Sequence, residues 1–134
     1  MSKIIQTSGK RKGAIARATL KQGKGTIRIN NTMIDFYQPQ LYRLKLREPL
    51  LLAGNLINDI NININVVGGG IASQADAVRL AIAKAILEYS KNDKLKDVFL
   101  KYDRTLLVAD VRRKETHKPN RHGKARAKVA KSYR

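Results

Sequence analysis

The chain has 134 residues, no cysteine and a formal net charge of +18 at pH 7. Its length predicts one domain with a modest core, and the lack of cysteine excludes disulfides, thiolate metal sites and cysteine nucleophiles. The sequence has no apolar run that fits a signal peptide or a membrane span, so we expect a cytoplasmic protein.

The positive charge is concentrated towards both ends. Residues 1–50 hold 11 Lys and Arg against 2 acidic residues, residues 51–110 hold 7 of each, and residues 111–134 hold 10 against 1. Such an excess repels itself unless a polyanion neutralises it. Nucleic acid is therefore the first partner that the composition predicts.

In chain order, the first elements are two predicted strands. Alternation over residues 14–20 indicates one strand, and Ile27 with Ile29 marks a second. The linking KQGKG has the glycines of a hairpin loop. We interpret SGKRKG as a bulge or exposed bend that interrupts the first strand.

The middle of the chain predicts helical turns, a strand and a long helix. Residues 38–53 form one or two helical turns, broken by Pro49 and stopped by Gly54. In DINININVV, isoleucine alternates with asparagine, which predicts a half-buried strand. After three glycines, a helix over 73–90 begins with a variant capping box at Ser73.

This helix is predicted to pack one face on the sheet. Its apolar residues recur at helical spacing: Ala75, Val78, Ile82, Ile86 and Tyr89. Leu80 and Leu87 lie away from that stripe and allow a second contact. A further helical turn in NDKLKDVFLKYD and a short strand in TLLVADV complete a predicted α+β, two-layer sandwich with its helix on one sheet face.

Candidate catalytic features are weak. GGGIASQ lacks the Lys-Ser/Thr of a phosphate-binding loop, so its glycines are interpreted as a bend, with a resting RNA phosphate as the alternative. His117 and His122 have too few neighbouring ligands for zinc. Asp103 and Asp110 are expected to cap or to pair with Arg104 or Arg112. We therefore expect no enzyme, no metal and no cofactor.

Two basic segments are the candidate RNA contacts, with solvated surface as the alternative for each. Apolar periodicity stops at Val111, which predicts a globular domain over 1–111 and a basic arm over 112–134. We expect this arm to be disordered in the free protein and to order on an anionic surface. The second segment is GKRK, followed by Arg17. Tyr133, outside any core, is a candidate for stacking on a base or ribose.

Four motifs, in order, carry a resemblance to a known family: GKRKGAIARATLKQGKG, GGGIASQADAVRLAIAKAIL, YDRTLLVADVRRKETHKP and KSYR. Over nearly its whole length the chain resembles the small-subunit ribosomal protein nine family, in its archaeal and eukaryotic branch. The resemblance implies a fold like the second domain of ribosomal protein five, with a left-handed βαβ crossover and a long extended basic tail.

The resemblance also implies a structural role in the small ribosomal subunit. The globular part would bind 16S-type rRNA in the subunit head beside neighbouring head proteins, and the tail would reach the anticodon stem-loop of peptidyl-site tRNA. The implied rRNA contacts are Lys10, Arg11, Lys12, Arg17, Arg112, Arg113, Lys114, Lys118, Arg121, Lys124 and Arg126. The implied tRNA contacts are Lys128, Lys131, Ser132, Tyr133 and Arg134.

Two other functions are compatible with the composition. One is a basic subunit of an RNA-processing ribonucleoprotein enzyme. The other is a catalytic domain of the same superfamily, which the missing phosphate loop disfavours. Neither a membrane nor a small-molecule substrate is expected as a partner.

Overall fold

One mixed sheet and three helices make up the domain, and the computed structural model describes residues 3–119. The strands are β1 (Ile5–Arg11), β2 (Ala14–Gln22), β3 (Ile27–Ile29), β4 (Thr32–Met33) and β5 (Ile60–Val67). The helices are α1 (Gln40–Ala53), α2 (Ile71–Ser90) and α3 (Asp93–Tyr102). Short 3-10 turns cover Ile34–Phe36, Gly54–Asp59 and Arg104–Leu106. The predicted α+β class is confirmed.

The strand order is β1-β2-β5-β3-β4, so β5 lies at the centre of the sheet. It pairs antiparallel with β2 and parallel with β3, and α1 lies between β3 and β5 in the chain. The hand of this crossover, and the likeness to the second domain of ribosomal protein five, stay predictions.

The predicted hairpin between β2 and β3 is wrong, because β5 separates these strands. The KQGKG loop instead crosses the start of β5. The Gly23 amide donates to the Asp59 carbonyl at 2.8 Å and the Gly25 amide to the Ile60 carbonyl at 3.0 Å. The side chain of Asn61 accepts two further amides of the loop. Backbone groups that a hairpin would have paired with each other are therefore satisfied by β5.

The interpretation of SGKRKG as an exposed bend is confirmed at Lys12 and Gly13, but the bend joins two strands and is not a bulge within one. The segment completes β1 and turns directly into β2, with Arg11 opposite Ala14 in the register. Lys12, at φ 51°, forms the exposed turn with Gly13. The alternation of β1 was hidden because Thr7 and Gly9 occupy two of its inward positions.

The core lies between the sheet and α2. Ala14, Ala16, Ala18 and Leu20 of β2 and Ile60, Ile62, Ile64 and Val66 of β5 are buried on the same sheet face. Close approach of α2 to β1 depends on small residues. A Cβ at Gly9 would lie 2.1 Å from the Ala77 carbonyl oxygen, and the Thr7 hydroxyl donates to the Ala81 carbonyl at 2.9 Å.

Two helix predictions and one strand prediction need correction. α1 continues through Pro49, whose ring is buried, and ends at Ala53, with Gly54 as its C-cap at the predicted stop. α2 begins at Ile71 with Gly70 as its N-cap, so Ser73 is a buried residue of the first turn and caps nothing. The predicted strand in TLLVADV is instead a 3-10 turn over Arg104–Leu106 followed by irregular chain.

The remaining helix predictions agree with the structure. The predicted stripe of α2 faces the core, and Leu80 is buried on another side, which confirms the second contact. The turn predicted after α2 is the full helix α3, capped by the Asn92 side chain, which accepts the Lys94 amide at 3.0 Å. No helix within residues 3–119 is both long and apolar enough to cross a membrane.

Candidate nucleic-acid interface

The predicted basic residues of the first hairpin divide into two groups. Lys10, Lys12 and Arg17 are exposed, and none of them forms an ion pair with another residue of 3–119. The side chain of Arg11 is only 16% exposed and points towards α2. The first group is available to a polyanion, whereas Arg11 is engaged within the protein.

Asp110 joins the two basic segments. Its Oδ2 lies 3.3 Å from Nη2 of Arg11 and 2.6 Å from Nη2 of Arg112. The Arg112 amide also donates to Oδ1 at 3.0 Å. Segments that are far apart in sequence therefore meet at one carboxylate, at the tip of the β1–β2 hairpin.

The pKa of Asp110 is held far below its ordinary value. Hydrogen bonds from the Arg112 side chain are the largest cause, followed by the Arg112 amide; the nearby charges of Arg11 and Arg112 act in the same direction. The same contact raises the pKa of Arg112. The junction is therefore fully ionised at neutral pH. The Arg112 side chain remains 78% exposed, which leaves donors for a second anion.

A second carboxylate supports the hairpin from α2. Asp76 lies 3.9 Å from Nε of Arg11 and also pairs with Lys45 of α1. Arg11 thus contacts two protein carboxylates. These contacts give Arg11 a structural role that its position in GKRK did not indicate.

Beyond Arg112, the described part of the chain has no helix or strand, and most of its residues are exposed. Arg113 donates to the carbonyls of Asp110 and Arg112 at 2.9 and 3.0 Å. Lys118 pairs with Glu115, and Lys114 is exposed. The other predicted contacts lie outside the described residues: Arg121, Lys124, Arg126, Lys128, Lys131, Ser132, Tyr133 and Arg134. His122 lies there too, and residues 3–119 contain no group of side chains suited to a metal ion.

A buried arginine that sequence reasoning missed holds the three helices together. The Arg79 side chain is 7% exposed; it pairs with Glu48 of α1 and lies 3.1 Å from Oδ2 of Asp103, just after α3. It also donates to the Thr105 hydroxyl at 3.2 Å. The available signal was a single arginine within the apolar stretch AVRLAIA. Asp103 therefore pairs with Arg79 and caps Thr105, while the expected pairing of Asp110 with Arg112 is confirmed.

Arg79 borders an open cleft of about 620 Å³ between α1, α2 and the chain after α3. Burial raises the pKa of Asp103, but hydrogen bonds from Thr105 and Arg79 outweigh it, so the pKa is lowered overall. Apart from Lys10, the acids and bases that line this cleft pair with one another, in the two networks around Arg11 and Arg79. These structural ion pairs explain why charged residues line the cleft.

The triple glycine is a bend packed on the hairpin. Gly68 and Gly69 have φ of 77° and 66°. A Cβ at Gly68 would lie 2.5 Å from the Gly13 carbonyl oxygen, so the close approach requires glycine. This geometry accounts for both residues without a ligand.

The structure is a small basic α+β domain in which two cationic segments meet at one carboxylate. Proteins of this class display cations on a rigid scaffold. Within that class, the chain belongs to the family described as ribosomal protein S9/S16, whose model matches residues 9–134. The resemblance inferred from the motifs is confirmed.

Relatives from three strains of Methanococcus maripaludis are each described as "Small ribosomal subunit protein uS9". One is 53% identical to this chain over 133 residues, covering 98% of this chain and 99% of the relative. The other two are 52% identical with the same coverage. These archaeal relatives agree with the branch that the motifs indicated.

Proposed function

We propose that this protein is a structural constituent of the small ribosomal subunit in the cytoplasm. Its globular domain binds 16S-type rRNA in the subunit head, beside neighbouring head proteins. The observation that carries the proposal is the 53% identity, over 98% of the chain, to a relative named as a small ribosomal subunit protein. The protein acts by binding and positioning RNA, and this role requires no cofactor.

The geometry of the basic residues supports an rRNA partner. Lys10, Lys12 and Arg17 are exposed, and Arg112 keeps most of its surface while paired with Asp110. Phosphate contacts need accessible cations more than a particular base, because they neutralise the backbone. The carboxylate of Asp110 holds the first arginine of the arm beside the hairpin tip, so both segments act on one region of RNA.

The proposal includes a contact between the tail and peptidyl-site tRNA. Its residues are Lys128, Lys131, Ser132, Tyr133 and Arg134. Support comes from their positional match to the family motif KSYR and from the full-length coverage of the relatives. Lysine and arginine supply backbone contacts, and tyrosine supplies a stacking surface.

Co-sedimentation of the tagged full-length chain with small subunits at high salt tests the ribosomal role. We expect stoichiometric association that survives salt washing. Recovery in a smaller ribonucleoprotein particle, without small subunits, would favour the RNA-processing alternative and overturn the proposal.

The arm is tested through the salt dependence of rRNA binding. Removing residues 124–134 deletes five cations. If all five meet phosphates, the slope of log affinity against log salt should fall by about 3.5–4.5. The matched control replaces five exposed cations on and beside α3 with alanine: Lys91, Lys94, Lys96, Lys101 and Arg104. It removes the same charge and should change the slope far less; equal slopes for the truncated and intact chains would exclude arm contacts.

A further inference from the structure

The sheet face that points away from α2 is open and polar. Inward residues of β2 and β5 are buried by the helices, while their outward neighbours remain accessible. The outward positions of the four longer strands are Gln6, Ser8, Lys10, Ile15, Arg17, Thr19, Lys21, Arg28, Asn61, Asn63, Asn65 and Val67. This set includes four cations and no acidic residue.

The strand register places two asparagines between two arginines. Arg17 of β2 is the Cα partner of Asn65, and Arg28 of β3 is the Cα partner of Asn63. All four side chains are exposed. The two arginines lie on the strands on either side of β5 and are offset by two residues along the strand direction. Their Cα atoms are therefore about 12 Å apart. A short stretch of one nucleic-acid strand can span that distance.

The asparagines are unusual residues for the central strand, since asparagine is depleted in sheets. Asn61 has a structural reason, because its side chain accepts the amides of Lys24 and Thr26. Asn63 and Asn65 form no side-chain hydrogen bond with any other residue of 3–119. Neither folding nor strand propensity explains their presence on this face.

Their chemistry matches ribose. A carboxamide both donates and accepts hydrogen bonds, as a 2′-hydroxyl does, and that hydroxyl distinguishes RNA from DNA. The guanidinium groups on either side suit phosphate oxygens. Among the described residues this face presents no aromatic side chain, so stacking of unpaired bases is not available to it.

We propose that this open face binds the sugar–phosphate backbone of rRNA, with Arg17 and Arg28 on phosphates and Asn63 and Asn65 on ribose hydroxyls. The inference rests on the proposed ribosomal function, since it takes rRNA as the partner. It extends the RNA surface of the hairpin and the arm, which already includes Arg17, across the open face of the sheet. Positive charge without any acid on the face favours RNA over a neighbouring protein as its occupant.

The chain has no cysteine, so a single introduced thiol can carry an iron–EDTA probe. Small subunits are reconstituted with Asn65→Cys or, separately, Glu115→Cys, and hydroxyl-radical cleavage is mapped. We expect Asn65→Cys to cleave rRNA strands. If the labelled protein co-sediments and Glu115→Cys cleaves rRNA while Asn65→Cys cleaves only protein or nothing, the face does not bind RNA and the ribosomal function stands. If neither protein joins subunits, both proposals fail.

Variants then separate the two kinds of contact. Asn63→Ala with Asn65→Ala should weaken binding to an rRNA fragment several-fold at an unchanged salt slope, and should leave binding to its DNA copy unaltered. Arg17→Gln with Arg28→Gln should lower the slope by about 1.4–1.8. Lys94→Ala with Lys101→Ala, on exposed positions of α3, is the charge control. Equal losses on RNA and DNA for the asparagine variant would overturn the ribose contact, and thermal melts verify folding.

Discussion

Arg11, the last residue of β1, forms an ion pair with Asp110, which lies beyond α3 near the opposite end of the described chain. Because Asp110 also binds the amide and guanidinium of Arg112, it fixes the chain where the basic arm begins. The direction in which the arm leaves the domain is therefore set by contacts with the β1–β2 hairpin.

Replacing Asp110 with alanine should loosen this junction. The Arg112 amide loses its acceptor, and both arginines lose their shared anion. We expect hydrogen exchange at the Arg112 amide to accelerate, with little change in global stability because the site is at the surface. Asp97→Ala, which removes an exposed carboxylate from α3, should leave that amide unchanged. An unaltered exchange rate in Asp110→Ala would show that the carboxylate does not hold the arm.

The Arg79 network should contribute substantially to stability. Removing one partner of a buried pair typically costs about 3–5 kcal/mol. Glu48 and Asp103 are about one-third exposed, so Arg79→Ala should lower the free energy of unfolding by about 2–3 kcal/mol. Urea titration measures it. Arg79→Lys keeps the charge but not the forked contacts, and should recover part of the loss; a cost under about 0.5 kcal/mol for alanine would contradict the assignment.

Acid should destabilise the fold mainly through Asp103, with only a small contribution from Asp110 because that carboxylate lies at the surface. Each has a folded pKa below the unfolded value near 3.8. The unfolded chain therefore binds more protons, and stability rises with pH through this region. The contribution is present above about pH 5 and is lost as the pH falls through the folded pKa values. Unfolding free energy measured from pH 6 to pH 3 should decline less steeply in Asp103→Asn than in the natural chain; parallel curves would refute the linkage.

Gly9 should not tolerate a side chain. The Cβ of alanine there would lie 2.1 Å from the Ala77 carbonyl oxygen of α2, so β1 or the helix must move. We expect Gly9→Ala to cost about 3 kcal/mol in urea unfolding. Gly13→Ala, in the turn of the same hairpin, meets only ordinary contacts at 3.6 Å and should stay within about 0.5 kcal/mol. Similar losses for both variants would point to a general sensitivity of the hairpin.

The proposed tRNA contact predicts a sequence-independent effect at Arg134. A guanidinium can grip the phosphate backbone by two hydrogen bonds, without regard to the anticodon. Arg134→Ala should cost about 1–3 kcal/mol, weakening peptidyl-site binding several-fold or more for different tRNAs alike, with normal subunit assembly. Arg134→Lys should restore only part of this affinity. Filter binding with two tRNAs measures it, and a loss confined to one tRNA would exclude a backbone grip.

Much of the secondary structure follows from local pattern. The alternation of isoleucine and asparagine predicts β5, and helical spacing of apolar residues predicts the buried face of α2. Both patterns arise because each element buries one face and exposes the other to solvent. The resulting periodicity can be read within a single segment. Lys10, Lys12 and Arg17 were candidate RNA contacts because they lie in a basic segment, and the structure exposes all three.

The pairing of strands and charges is not local, and there the sequence misled. Nothing in KQGKG reveals that its amides bind β5, so a loop between neighbouring strands resembled a hairpin. Arg11 and Arg79 were inconspicuous because their partners, among them Asp76, Asp110 and Asp103, lie on other elements. Such contacts depend on the tertiary arrangement, which periodicity does not encode.

The central position of β5 has a consequence for the order in which the chain can fold. During synthesis β2 and β3 emerge first, yet each needs β5 as its neighbour, and α1 must be made in between. Only the local β1–β2 and β3–β4 hairpins can pair early, and a lone hairpin is marginal in water. The sheet is therefore completed late, when Val67 has left the exit tunnel, and long-range closure of this kind slows folding. Until then the edges of β2 and β3 that β5 will cover can pair with other strands. The high positive charge of the nascent chain also attracts other anions while the sheet is incomplete.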